Sequence, residues 1–210
     1  MSMYVPRSNA IADEQEIRRL VAEVGTAQLI TVGRDGYPLA TLLPVIWQGD
    51  TVIAHMARAN AHWKQIDPDA PALLVVAGAQ AYISPSWYPS KAEHGRVVPT
   101  WNYSAVQLAG RVRVHEDAGW LRTAVDTLTE RHEAGRAAPW SSADAPEQYI
   151  HGQLRAIVGI EVAVERVDAK AKLSQNQADA DRQGVVVGLR QEESAGALAV
   201  ADQMSAPAGG

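Results

Sequence analysis

Thr51–Lys64 reads T-V-I-A-H-M-A-R-A-N-A-H-W-K. Its first half, Thr51 to Met56, is an apolar run with β-branched Val52 and Ile53, the residue types that strands favour. Its second half breaks into Arg58, Asn60, His62 and Lys64, spaced by alanines and Trp63. Ala59-Asn60-Ala61 predicts a turn into a short helix, His62 to Ile66, with Asn60 as its cap. A strand that ends at a helix start presents free N–H groups and partial positive charge. Arg58 and Lys64 stand within a turn of that point, so the corner suits a phosphate. The plainer alternative is that both are ordinary solvated cations.

Working outward, Asp13 and Glu16 predict a capped helix start, and Ile17, Leu20, Val21 and Val24 form one apolar face that Gly25 ends. Gln28–Val32 predicts a strand, Gly33–Gly36 a hairpin turn, Leu39–Trp47 a second strand and Thr51–Met56 a third. Three strands joined by tight turns predict an antiparallel meander. Beyond the corner come a strand at Ala72–Ala77, a turn at Gly78-Ala79 and a strand at Gln80–Ile83. A proline-rich segment, Ser84–Thr100, follows; it carries Trp87, Tyr88, Lys91 and His94 and reads as a functional loop. Asn102–His115 alternates as a strand, with Gly110 suggesting a bulge and Arg111, Arg113 and His115 forming a basic stripe or a solvated face. Helices are expected at Asp117–Arg131 and Glu147–Leu154, and a strand at Ala156–Val167. Helical or mixed structure is expected at 173–189 and 192–204, then a loose end from Ser205. Six or seven strands interrupted by helices give a mainly β, α+β class, a small barrel with helical additions. We expect one domain over 1–190, followed by a C-terminal helix and tail over 191–210.

The chain has 210 residues, 47% of them apolar, a net charge of −5 and no cysteine. Disulfides, thiolate catalysis and Cys-ligated zinc are thereby excluded. The acidic balance does not suggest a free-standing DNA-binding surface. Residues 1–12 lack a signal-type apolar core, and no apolar run approaches the ~18 residues that span a bilayer. A cytoplasmic location without membrane insertion is expected. The six histidines show neither H-x-H nor H-x-x-x-H spacing, and no metal site is expected. No G-x-S-x-G, G-x-G-x-x-G or P-loop is present. Pro99–Tyr103 places two aromatics about an amide, which suits a flat heteroaromatic ring or a buried aromatic corner. Lys170–Asn176, K-A-K-L-S-Q-N, reads either as ligand-binding or as a helix start capped by Ser174.

Five segments occur in order: Met3-Tyr4-Val5-Pro6, His55–Asn60, Ser84–Tyr88 with Lys91, Pro99–Tyr103, and Lys172–Asn176. Together they resemble the FMN-binding negative transcriptional regulators of the PaiB type, from Met3 to about Leu189. That family resembles the pyridoxamine-phosphate-oxidase-like split β-barrels, homodimers with FMN at the subunit interface. The resemblance implies that Thr41, Leu42 and Leu43 line the isoalloxazine and that Arg58, Asn60 and Lys64 hold the phosphate. It implies that Trp87, Trp101 and Asn102 contribute from the partner subunit, with His55 also in the site. Lys172, Ser174, Gln175 and Asn176 follow more weakly. Ser8 and Asn9 stand where the family has an aromatic. No helix-turn-helix is read, so the family's regulatory label brings no DNA-binding motif with it. Other readings remain open: an FMN-dependent oxidoreductase, a haem-binding split barrel with His55 or His94 as axial ligand, and a cofactor-free scaffold.

Overall fold

The computed structural model describes residues 2–206. Seven strands are hydrogen-bonded in one sheet: β1 (Thr26–Val32), β2 (Pro38–Pro44), β3 (Ile46–Gln48), β4 (Thr51–Ala57), β5 (Pro71–Ile83), β6 (Thr100–His115) and β7 (Ile157–Lys172). Their order is β2-β1-β5-β6-β7-β4-β3. Six helices accompany them: α1 (Glu14–Val24), α2 (Ser90–His94), α3 (Ala118–Glu133), α4 (Glu147–Arg155), α5 (Asp179–Gln191) and α6 (Ala195–Ser205).

The expected three-stranded meander is not what forms. β1 and β2 make one antiparallel hairpin, and β3 and β4 make another. The expected 39–47 strand is interrupted at Val45, whose N–H donates to Gly25 O at 2.9 Å as the last bond of the β1–β2 register, while the Gly25 N–H donates to Val21 O at the end of α1. β4 pairs with β7, His55 opposite Gly159. The turn expected at Gly78-Ala79 is absent: β5 runs unbroken for 13 residues. The local glycine weakens a strand but does not stop one whose flanks are buried on alternate positions. Gly110 answers to close packing, since a Cβ there would overlap the backbone carbonyl of Ala163. The basic stripe is paired across to β7: Arg111 with Glu165 at 3.2 Å, Arg113 with Glu161 at 3.5 Å, and His115 with Glu161 at 3.3 Å.

The chain divides into two compact units. One comprises residues 18–76 and 107–167. Leu29, Leu74, Leu108, Leu121, Val158 and Ile160 are among its fully buried large side chains. α3 begins at Asp117, whose carboxylate accepts from the Trp120 N–H at 2.8 Å. The Trp120 ring lies on Gly159, where a Cβ would overlap it.

The other unit comprises residues 1–17, 77–106 and 168–210, described from 2 to 206. Ile83, Tyr88, Val185, Leu189, Val200, Ala201 and Met204 form its core. The proline-rich segment holds a 3-10 turn at Pro85–Trp87 and the short α2, rather than loop throughout. β7 extends to Lys172. Ser174 is not a helix cap: it sits at φ 60, and α5 starts at Asp179 after Ala178. Of the expected loose end, Ser205 closes α6, and residues 207–210 lie outside the described residues.

Candidate functional site

The corner after β4 is built by a turn and a side-chain cap. The Asn60 N–H donates to Ala57 O at 2.9 Å, and Asn60 takes an extended conformation. Its Oδ1 accepts from the His62 N–H at 3.0 Å, as expected of a cap. The helix it caps is 3-10, Ala61–Gln65, one residue earlier than expected. Capping fixes the Asn60 amide so that Nδ2 donates to Thr41 Oγ1 at 3.3 Å. Thr41 Oγ1 also lies 2.7 Å from His62 Nδ1, and His62 Nε2 lies 2.8 Å from Thr31 Oγ1. His62 is 5% exposed, and burial holds its pKa below the ordinary 6.5. A hydrogen-bonded chain thus runs Thr31–His62–Thr41–Asn60 across β1, the 3-10 turn and β2. His62 was missed as a site residue in the sequence. No local signal singles it out, since its partners Thr31 and Thr41 come from strands of which β1 also carries Thr26 and Gln28.

Trp63 organises the two cations. Its Nε1–H donates to Arg58 O at 2.9 Å, and its ring centre lies 5.9 Å from the Arg58 guanidinium and 5.4 Å from Lys64 Nζ. The two charges are not equivalent. Arg58 donates through Nε to Arg155 O at 3.0 Å and through Nη2 to Ile157 O at 3.2 Å, and its Nη1 is paired with Glu116. It ties the end of β4 to the start of β7. Two of its five N–H groups fall outside these bonds. Lys64 is exposed, and among the described residues its recorded contact is the Trp63 ring. A hollow of about 370 Å³ adjoins the corner, lined in part by Gln65, Ile66, Val32 and Gly33.

Along β2, Leu43 points into the core at 3% exposed and Leu42 points out at 59% exposed. Thr41 is half-buried and faces the corner. His55, on β4, has a buried Nδ1 with no hydrogen-bond partner, and burial lowers its pKa too. His94 is exposed, and its Nδ1 accepts from the Arg96 N–H at 3.0 Å.

Trp87, Trp101 and Asn102 belong to the other unit. Asn102 is fully buried; its Nδ2 donates to Ser174 Oγ at 3.0 Å and approaches Met204 Sδ at 3.4 Å. Trp87 packs on α5, where a Cβ at Gly188 would overlap its ring. Trp101 is half exposed and meets Tyr82 edge to face, ring centres 6.2 Å apart. Lys172 Nζ donates to the Thr100 hydroxyl and, at 3.0 Å, to Trp101 O. Gln175 Oε1 accepts from the Leu173 N–H at 2.7 Å. The K-A-K-L-S-Q-N run is therefore occupied in holding β6 and the exit of β7.

Among the described residues no group of three or more His, Asp or Glu is placed to hold a metal ion. Nor is any helix long and apolar enough to cross a membrane. α5 and α6 are successive helices with a three-residue link, Glu192–Ser194. α6, Ala195–Ser205, contains neither Lys nor Arg, so it lacks the cations with which a recognition helix meets phosphates.

Residues 3–166 match the family described as "Putative FMN-binding domain". The chain belongs to that family. A relative also spans nearly the whole molecule. The chain is 30% identical over 206 residues to the Bacillus subtilis "Protease synthase and sporulation protein PAI 2", covering 96% of each chain. Among solved structures, the FAD and heme binding protein of Mycobacterium smegmatis superposes with a TM-score of 0.61 at 19% identity, covering 82% of this chain and 78% of that one. A conserved hypothetical protein of Mycobacterium tuberculosis superposes with a TM-score of 0.60 at 14% identity, covering 83% and 94%. At those identities the likeness is one of fold. The fold class is α+β, a seven-stranded sheet with helices, among the described residues.

Proposed function

We propose that the protein binds FMN and does so as a homodimer. The observation that carries this reading is the meeting of the Thr41 hydroxyl, the Asn60 amide and the exposed Lys64 ammonium at one corner in a member of the FMN-binding-domain family. A phosphate monoester carries about −1.5 to −2 charge near neutral pH and only accepts hydrogen bonds once doubly ionised. Lys64 supplies the full charge. Arg58 adds part of one, since Glu116 offsets it.

Leu42, exposed on β2, offers an apolar face for the isoalloxazine. Trp101, half exposed beside Tyr82, is the aromatic available to a neighbouring subunit's flavin. Trp87 and Asn102 have their own ring and polar surfaces spent on α5, Ser174 and Met204. His55 stands on β4 opposite Gly159 of β7. Bound FMN would supply one- and two-electron redox chemistry; the residues named here hold and orient it. A regulatory role of the PaiB type would act through the flavin-bound dimer, since the α5–α6 hairpin has no cationic second helix.

The test is titration of the purified chain with FMN, followed by flavin fluorescence, with light scattering on the same sample. Saturable quenching by a dimer is expected. Protein that leaves flavin fluorescence unchanged, or a monomer that retains flavin, overturns the reading.

A further inference from the structure

We propose that His62 is a positioning residue for this corner, held as the Nδ1–H tautomer, so that Thr41 turns its own hydroxyl proton outward to the phosphate. The inference rests on the flavin-phosphate reading above and says how that site is tuned.

The argument is an accounting of hydrogens. Thr31 is 6% exposed, and among the described residues its hydroxyl bonds only to His62 Nε2, at 2.8 Å. If Nε2 carried the ring proton, Thr31 would accept it and its own O–H would have no acceptor. A buried donor left without a partner is costly. Thr31 therefore donates to Nε2, and the ring proton sits on Nδ1. Nδ1–H then donates to Thr41 Oγ1 at 2.7 Å. Thr41 Oγ1 accepts a second bond from Asn60 Nδ2, whose direction is fixed because Asn60 Oδ1 caps the His62 N–H. Both lone pairs of that oxygen are now filled. Its remaining hydrogen points away from these partners, out of the half-buried hydroxyl.

In the other tautomer Thr41 would donate inward to the ring and offer the ligand nothing but a lone pair. Both arrangements contain the same protons and the same charge, so the difference is purely one of direction. In the Nδ1–H arrangement the corner presents Thr41 O–H, the second Asn60 N–H and the Lys64 ammonium. These are donors without an acceptor among them. Such a set selects a group that only accepts, the phosphate dianion, and discriminates against a neutral hydroxyl in its place. The site would thus separate FMN from riboflavin.

Two measurements on the full chain test this. Histidine labelled with ¹⁵N, read by long-range ¹H–¹⁵N correlation at neutral pH, should show His62 protonated at Nδ1 and bare at Nε2. An Nε2–H signature overturns the inference without reference to any flavin. Titrations with FMN and riboflavin then use Thr41→Val and Thr41→Ser. Thr41→Val should weaken FMN by roughly tenfold or more, the size of one hydrogen bond to a charged group, leave riboflavin unmoved, and be rescued by Thr41→Ser. Wild-type protein that binds riboflavin as tightly as FMN overturns the phosphate corner itself. Preference for FMN that survives Thr41→Val, but is lost in Lys64→Ala, overturns the role of His62 and leaves the corner standing.

Discussion

Lys64→Ala separates binding from folding at this corner. Lys64 is exposed and touches the ring of Trp63, so its removal breaks no bond that holds the fold together. An exposed cation over an indole contributes about 0.5–1 kcal/mol, and the apparent melting temperature should hardly move. Toward a phosphate the same ammonium is worth more. A hydrogen bond to a charged group contributes about 1.5–3 kcal/mol, which corresponds to roughly a ten- to hundredfold change in Kd. The loss should shrink with added salt, since the screening length falls from about 10 Å at 0.1 M to about 3 Å at 1 M. Arg58→Ala should behave differently, because it releases Glu116 and the carbonyls of Arg155 and Ile157. It should lower the melting temperature as well as the affinity. The assay is FMN titration by fluorescence quenching beside a thermal melt, for both variants at two ionic strengths. An unchanged FMN Kd in Lys64→Ala would refute the reasoning, as would a Lys64→Ala effect equally large for riboflavin.

Glu116→Gln should tighten FMN by a few-fold, since it removes the carboxylate that neutralises Arg58 at the corner, while costing about 0–1 kcal/mol of stability for a half-exposed ion pair; weaker binding in this variant would count against any part for Arg58. Gly188→Ala should destabilise by about 1–3 kcal/mol, because the new methyl enters the Trp87 ring; an unaltered denaturation midpoint would show that Trp87 does not pack there. Stability should fall on acidification below pH 6.5. His55 and His62 are both held below their ordinary pKa by burial, so the unfolded chain binds protons more readily than the folded one. Their contribution is complete above 6.5 and is lost as pH drops toward the folded values. Urea midpoints measured through that range should flatten in His62→Gln, and an identical slope in the variant would sink the assignment.

The corner was legible because its signals are local. Asn60 as a cap, a strand before it and two cations around it all depend on residues within a few positions of each other. The side chains found there by the fold come from farther away. Thr31 and Thr41 reach His62 only because the β1–β2 hairpin lies over the 3-10 turn, and nothing in the periodicity of either strand marks a threonine as a partner rather than a surface residue. The meander failed for a similar reason. The 39–47 stretch is β-prone throughout, and it breaks at Val45 where the β1–β2 ladder runs out: Gly25, twenty residues earlier, takes the Val45 N–H on its carbonyl but spends its own N–H on Val21 O at the end of α1. Likewise Gly78-Ala79 has the composition of a turn, yet β5, with β6 beside it in the sheet, stays extended through it.

Arg58 shows most clearly what spacing leaves out. Its position predicts a phosphate ligand, and the family resemblance implies the same. In the fold its guanidinium also closes the seam between β4 and β7, so one side chain has two claims on it. A planar cation with five donors can meet both, three inward and two outward, where a lysine could not hold two carbonyls and a carboxylate in fixed directions. Lys64, with one compact charge on a flexible stem and, among the described residues, no partner but an indole, has nothing there to hold together. The division of labour follows from those geometries. Arginine stands where the chain must be fixed as the ligand arrives, and lysine where only charge is needed, so Arg58→Lys should fail as a conservative change while Lys64→Arg should be tolerated.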